Sequence, residues 1–310
     1  MPQHIEELTR LLDLEEIEVG LYRGQQPVTQ LQRAFGGQVL AQALTAATRV
    51  TPTDRLVHSL HAYFLLPGRT DSPIIYDVEN IRDGGSFSSR RVVARQHGKI
   101  IFYLTASFHV DEPGFEHRDI GPADVPGPDD CPRLSEVLAS ASGRPAGVWE
   151  REWGVLDVRY AGDSRPGGNL HDPLRPALAR VWVKVLGELP ADQALQRAVL
   201  AYASDLTLLA VTTVPHDVFI GSPQLQAASI DHAMWFHRPV RADRWMLYDQ
   251  TSPAASGSLG LATGRLFATS AAGPEERVLV ASVAQEGLIR RRASSPDITA
   301  LDITLKEKTT

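Results

Sequence analysis

One order of elements occurs twice along this chain, and that repetition limits what it can fold into. The first half reads as a strand in "EEIEVGLYRG", a helix in "FGGQVLAQALTAATRV" entered through two glycines, and four strand-like runs, "LVHSLHAYFLLPG", "SPIIYDVENIRD", "SFSSRRVVARQHG" and "KIIFYLTASFHV". The second half offers "GVWEREWGVLDVRY" and "ARVWVKV" as strands and "ADQALQRAVLAYASDLTLLAVTTV" as a helical segment. Four strands again follow: "LQAASIDHAMWFHRPV", "RWMLYDQTSPA", "SLGLATGRLFATS" and "RVLVASVAQEGLIRR". Corresponding features keep a register. Pro67 and Pro239 lie 172 positions apart, as do Tyr76-Asp77 and Tyr248-Asp249. Ala106-Ser107 and Ala281-Ser282 are 175 apart, which puts three extra residues in the "SAAGPEE" turn. So long a period does not describe a solenoid; the chain reads as two copies of one unit.

Strands that follow one another directly pair antiparallel, so each copy is one helix laid against a sheet of consecutive strands. The predicted class is α+β, with two antiparallel sheets each wrapping a central helix. That is the form of a hot dog, and two in one chain make a double hot dog. Between Asp111 and Gly147 the chain is too rich in Pro, Gly and Asp for a continuous element, although "CPRLSEVLAS" suits a short helix. The predicted organisation is an N-terminal unit over 1–112, a linker over 113–147, a C-terminal unit over 148–292 that carries the chemistry, and a loose tail over 293–310.

Composition excludes several classes. A hydrophobic share of 43% and a charged share of 22% are those of a soluble globular protein with a sizeable core. The net charge of −6, with no run of five or six like charges, argues against nucleic acid as a partner and leaves room for a local basic patch. The single Cys131, in "GPDDCPRL", has no partner for an internal disulfide and no CxxC spacing, so it reads as a structural thiol. "MPQHIEELTRLLDLEE" reads as an acidic amphipathic helix with Ile5, Leu8, Leu11 and Leu12 on one side, not as a signal peptide. No apolar run approaches the ~18 residues of a membrane span, and "KEKTT" is not a peroxisomal address. The expected setting is cytoplasmic, with no membrane partner.

Six stretches carry a resemblance: "FGGQVLAQAL", "HSLHAYFLLPG", "PIIYDVENIRDGGSFSSRR", "IFYLTASFH", "IDHAMWFHRP" and "ASVAQEGLIR". Together, over roughly residues 10 to 291, they resemble the acyl-CoA thioesterase II family of double hot-dog enzymes. The resemblance implies hydrolysis of acyl-CoA to free acid and CoA, with acyl-CoA the partner and no cofactor or metal. It also implies that an Asp, a Ser or Thr, and a Gln of the second half orient a water. These fall on Asp205 in "YASDLTLL", Ser229 in "ASIDH" and Gln285 in "VAQEGL", with Ser in the hydroxyl place. A thioester is already activated, because its thiol leaves with a pKa near ~8.5. What remains is to activate a water and stabilise an oxyanion, which a carboxylate and two hydrogen-bonding side chains suit. A helix turn beginning near Ser204 would add free backbone N–H groups facing the carbonyl oxygen. Taken singly, each residue has an ordinary reading: Asp205 in the first turn of a helix, Ser229 as a polar filler of a strand, Gln285 as a solvated strand residue.

Other residues stay open between two readings. Arg82, Arg90 and Arg91, with Arg95, suit the phosphates of CoA, or else form a solvated face laced with Asp77, Glu79 and Asp83. Phe35, Gly36, Gly37 and Gln38 suit either ligand approach or close packing of helix on sheet. His232 and His237, five apart in a strand, point to opposite faces and read as core or rim residues, and His58 and His61 are expected on opposite faces too. A hot-dog enoyl-CoA hydratase or dehydratase is the enzymatic alternative, but such enzymes pair an Asp with a His five residues on, and that place holds Ala210. A non-catalytic acyl-CoA-binding protein is the other. Exposed sheet edges predict a homo-oligomer, a dimer or tetramer.

Overall fold

A computed structural model describes residues 1–143, 145–270 and 273–292; the expected tail over 293–310 lies outside the described residues. Helix α1 (Ile5–Leu12) buries Leu8, Leu11 and Leu12, the stripe its spacing gives. Gly20, at φ +79°, turns the first strand segment into a hairpin of β1 (Glu15–Glu18) and β2 (Leu21–Gly24). The alanine-rich α2 (Gly36–Arg49) follows, then β3 (Arg55–Phe64), β4 (Ile74–Asp83), β5 (Phe87–Gln96) and β6 (Lys99–Val110). The linker carries α3 (Leu134–Ser142), close to the helix expected there.

The second half opens differently from expectation. "GVWEREWGVLDVRY" is not one strand: Gly147–Trp153 is helix α4 and the strand, β7, spans Leu156–Asp163. Trp149 and Trp153, one helical turn apart, stack on each other, a spacing that alternation in a strand cannot give. Then come β8 (Leu178–Val185), α5 (Gln193–Ser204), a 3₁₀ segment (Leu208–His216), β9 (Leu225–Ser229), β10 (Asp231–Phe236), β11 (Met246–Ser256), β12 (Leu259–Ser270) and β13 (Gly273–Arg291).

The two sheets meet edge to edge. One antiparallel array of 13 strands runs β1-β2-β4-β5-β6-β3-β10-β13-β12-β11-β8-β7, with β9 also on β13, and β3 pairs β10 at the seam. The first sheet wraps α2. The second wraps the 3₁₀ segment, while α5 packs against α2 and β3. Gly260 and Gly287 let that segment in, since a Cβ on either would collide with Thr212 or Leu209. The stretch Gln193–His216 does have the length and mean hydropathy of a membrane span, contrary to the sequence expectation, but its most apolar window is 72% buried inside the protein, as a core helix is.

Strand pairing corrects the register of the repeat. Tyr76 faces Ala94 as Tyr248 faces Leu266, an offset of 172 in both. Arg90 faces Ala106 while Ala262, 172 residues on, faces Gln285. The counterpart of Gln285 is therefore Ala106, 179 residues earlier, so the last hairpin carries seven extra residues rather than three. By the same pairing Val57, opposite Phe108, is the counterpart of Ser229, opposite Gly287. A bulge between Val57 and Ser59 also breaks strict alternation. His58 and His61 both leave from the face opposite the buried Val57, Leu60 and Ala62, not from opposite faces: His58 meets Ser107 and His61 meets Trp235 edge-on.

Candidate active site

Asp205 caps the C-terminal end of α5. The chain turns over Asp205–Thr207 before the 3₁₀ segment, because the apolar run from Leu208 must bury under the second sheet. Asp205 is thus not in a helix's first turn. Ser204 is the last residue of α5, so its N–H belongs to that helix and no helix turn begins there; the next one begins at Leu208.

Ser229 ends β9, and the chain crosses at Ile230 from pairing with β13 to the seam with β3: Ile230 N–H donates to Glu286 O and Phe64 N–H to Ile230 O. This crossing brings Ser229 beside Gln285, which β13 carries on its inward face with no solvent exposure. The Gln285 amide Nε2 donates to Asp205 Oδ1 at 2.6 Å and to Ser229 Oγ at 3.0 Å. Its Oε1 is buried, with no hydrogen-bond partner among the described residues. The carboxylate side chain is only 5% exposed. The three residues thus converge from three elements, and the hydroxyl of Ser229, already accepting from Gln285, keeps its hydrogen free.

His232 on β10 is fully buried behind Asp205. Its Nε2 lies 2.9 Å from Ser204 Oγ and its Nδ1 3.7 Å from Asp205 Oδ1. Desolvation pulls its pKa below the usual imidazole value, opposed by the charges of Asp205 and Asp231. His237, by contrast, is at the surface with Ser282. Tyr248 of β11 donates its hydroxyl to Ser204 O at 3.1 Å, fixing the end of α5 from below.

The first half supplies backbone and walls. A Cβ on Gly36 would stand 2.6 Å from Asp205 Oδ2 and 3.0 Å from the Phe64 ring. One on Gly37 would stand 2.3 Å from Tyr202 O. The two glycines of "FGGQ" therefore serve close packing: Gly37 permits α2 to touch α5, and Gly36 lets the start of α2 approach the free carboxylate oxygen of Asp205. Phe35 packs edge-on against Tyr202 and Trp153. Gln38 is buried and donates to Gln26 Oε1 at 3.1 Å, so it braces the β2–α2 connection.

The arginine cluster divides. Arg90 is 1% exposed and points inward, donating to Asp83 Oδ1 and to the carbonyls of Arg82, Ser89 and Val50. It cannot meet a phosphate, which corrects its place among the ligand-binding candidates. Arg91 is exposed and paired with Glu79; Arg82 is exposed. Cys131 is buried and its thiol pKa is raised by desolvation, in keeping with a structural thiol.

Beside the site lies an apolar cavity of about 320 Å³. Val137 and Leu138 of α3 and Trp149 and Trp153 of α4 line one side, and Thr207, Ala210 and Val214 the other. Its inner wall at Leu206 and Thr207 follows Asp205 directly in the chain, and its Trp153 touches Phe35, the cap of α2. Alternation-based reading missed this wall because it took α4 for a strand.

Residues 166–288 match the family model described as acyl-CoA thioesterase, and residues 25–109 match that of the acyl-CoA thioesterase N-terminal domain. Acyl-CoA thioesterase 2 of Haemophilus influenzae is 38% identical over 297 residues, covering 94% of this chain and 99% of its own. The chain belongs to the acyl-CoA thioesterase family. Human acyl-coenzyme A thioesterase 8 is 37% identical, with 91% of this chain and 88% of its own covered. The crystal structure of an acyl-CoA thioesterase II from Mycobacterium marinum superposes with a TM-score of 0.77 at 41% identity, over 92% of this chain and 99% of that one. An Alicyclobacillus acidocaldarius protein described as having a hot dog fold superposes at 0.71 and 19% identity, a likeness of fold. The double hot dog expected of this thioesterase-family chain is the fold it has.

Proposed function

We propose that this chain hydrolyses acyl-CoA thioesters to free acid and CoA through a water held by Asp205, Ser229 and Gln285. The observation that carries the reading is the junction itself. Gln285 ties Oδ1 of Asp205 to Ser229, while Oδ2, to which none of the described side chains donates, is approached closely by the backbone of Gly36. A water there loses a proton to Oδ2 as its oxygen bonds to the thioester carbonyl carbon. Gln285 Oε1, buried without a partner among the described residues, accepts the water's second hydrogen. The C–S bond then breaks and the thiolate leaves, taking the proton from Asp205. Developing negative charge on the carbonyl oxygen is met by the Ser229 hydroxyl and by the N–H groups of Gly36 and Gly37, which at the start of α2 have no acceptor within the helix. The acyl chain suits the apolar cavity beside Thr207.

Asp205→Asn keeps the shape and removes the base. The expected result is a fall in kcat on the order of 10²–10⁴-fold with KM little changed, read as thiol release from acyl-CoA. Wild-type kcat in folded Asp205→Asn would sink the reading. Disappearance of 2-enoyl-CoA without thiol release would turn it toward a hydratase.

A further inference from the structure

The imidazole of His232 has one satisfied nitrogen and one that no hydrogen bond accounts for. It is fully buried, Nε2 is 2.9 Å from Ser204 Oγ, and Nδ1 has no hydrogen-bond partner among the described residues. Asp205 Oδ1 lies 3.7 Å from Nδ1. A neutral imidazole carries a single N–H, and its neighbours decide which nitrogen holds it. The Ser204 hydroxyl has one hydrogen and three acceptors in reach: Nε2, Ala201 O at 3.0 Å and Met234 Sδ at 3.3 Å. Were the N–H on Nε2, the Nδ1 lone pair would face a carboxylate across a dry gap, where like-signed charge density costs most. With the N–H on Nδ1, that cost becomes an attraction.

We propose that His232 is a positioning residue for the base: held in its Nδ1–H tautomer by the Ser204 hydroxyl, it steadies Oδ1 of Asp205 and leaves Oδ2 as the oxygen that takes the proton. This rests on the reading of Asp205 as the base. At 3.7 Å the contact is charge to dipole rather than a hydrogen bond, and contacts of this kind tighten toward the transition state. Gln285 donates to the same Oδ1 from β13, so one oxygen is held by a hydrogen bond from one strand and a dipole from another, and none of the described side chains donates to Oδ2. The titratable groups around Asp205 are His232 of β10 and Tyr248 of β11, with Asp231 acting on His232 from its own strand. Burial keeps His232 neutral, so it donates without competing for the water's proton.

The tautomer is measurable on the wild-type protein by ¹⁵N NMR of labelled histidine near pH 7.5, with His232→Asn to assign the signal. A protonated Nδ1 is expected; a protonated Nε2 overturns the proposal, whatever the role of Asp205. Kinetics give the second arm. His232→Asn places an amide nitrogen where Nδ1 stood and should stay within about tenfold of wild-type kcat, whereas His232→Phe should lose about 10–10²-fold, the worth of one buried hydrogen bond to a charged group. KM should barely move. The acid limb of kcat/KM against pH should rise in His232→Phe, since the carboxylate has lost a donor favouring its charged form. Should that variant not fold, Ser204→Ala serves: loss of the hydroxyl should release Nε2 and raise the same limb. An unmoved limb and wild-type kcat would overturn the proposal. An active Asp205→Asn instead overturns the reading beneath it, a result the tautomer measurement does not share.

Discussion

Gln285 Nε2 and Asp205 Oδ1 stand 2.6 Å apart, on side chains contributed by β13 and by the end of α5. The donor cannot be replaced by an acceptor without reversing the sign of the contact. Gln285→Glu would set a second carboxylate against the first, and two carboxylates at that distance raise one pKa strongly. The expected result is a loss of kcat on the order of 10²-fold at pH 7, with the acid limb of the rate profile moved upward. Gln285→Ala should lose ~10–10³-fold without that upward move. Combined with Asp205→Asn, it should cost far less than the product of the two single losses, because both act on one water.

Gly36 and Gly37 separate activity from stability. Both lie in the first turn of α2, where alanine is the better helix former by about 1 kcal/mol. Gly36→Ala places its methyl against Asp205 Oδ2 and the Phe64 ring, crowding the oxygen proposed to take the proton. It should keep a near wild-type melting temperature while kcat falls about 10–10²-fold, comparable to losing one stabilising contact to the transition state. Gly37→Ala meets the Tyr202 carbonyl at 2.3 Å, backbone that cannot step aside, so it should lower the melting temperature first. If the two behave alike, the division between contact with the base and contact with the helix is wrong.

The fold was legible because a duplication is visible through residue identities: Tyr76-Asp77 against Tyr248-Asp249 keeps its spacing in the paired strands. The second register point was misread because Ala-Ser recurs by chance at Ala281-Ser282, while the true counterpart of Ala106 is Gln285, a different residue type. Asp205, Ser229 and Gln285 were found through resemblance, and no spacing in the chain could have joined residues whose contact depends on a crossing at Ile230. His232 was read as an ordinary core residue because the vacancy at Nδ1 is a property of its neighbours. Arg90 looked like a ligand arginine only while its strand neighbours were counted along the chain; in space the carbonyl of Val50 and the carboxylate of Asp83 claim it.

Arg90 gives a direct check of that reassignment. Arg90→Met should lower the melting temperature and leave KM for acyl-CoA unchanged, since it removes a buried guanidinium that holds three carbonyls and a carboxylate. A raised KM with an unchanged melting temperature would return it to the ligand-binding set.

Acid should loosen the fold through its histidines. The pKa values of His232 and His58 are lowered, each chiefly by burial, from an unperturbed 6.5. The unfolded chain therefore binds protons at a higher pH than the folded one, and stability rises with pH across that window. The stabilising contribution is complete above pH 6.5 and is lost as the pH falls from there through the folded values. The melting temperature should drop between about pH 6.5 and 5, with a shallower drop in His232→Phe. A flat profile, or the same slope in the variant, would show that His232 is not buried neutral.

The cavity predicts which substrates the enzyme handles. Ala210 lines it from the 3₁₀ segment, opposite Val137 of α3 and Trp149 of α4. Ala210→Trp would fill much of its roughly 320 Å³ without touching Asp205, Ser229 or Gln285. If the acyl chain enters this space, kcat/KM for a long-chain acyl-CoA should fall by 10-fold or more. Acetyl-CoA or butyryl-CoA hydrolysis should stay within about threefold, since each methylene displaced from an apolar pocket costs about 1 kcal/mol or more. Trp149→Ala, which enlarges the cavity from the α4 side, should shift preference toward longer or branched chains. Equal losses at every chain length, in a variant that melts like wild type, would place the acyl chain elsewhere and leave α3 and α4 as packing alone.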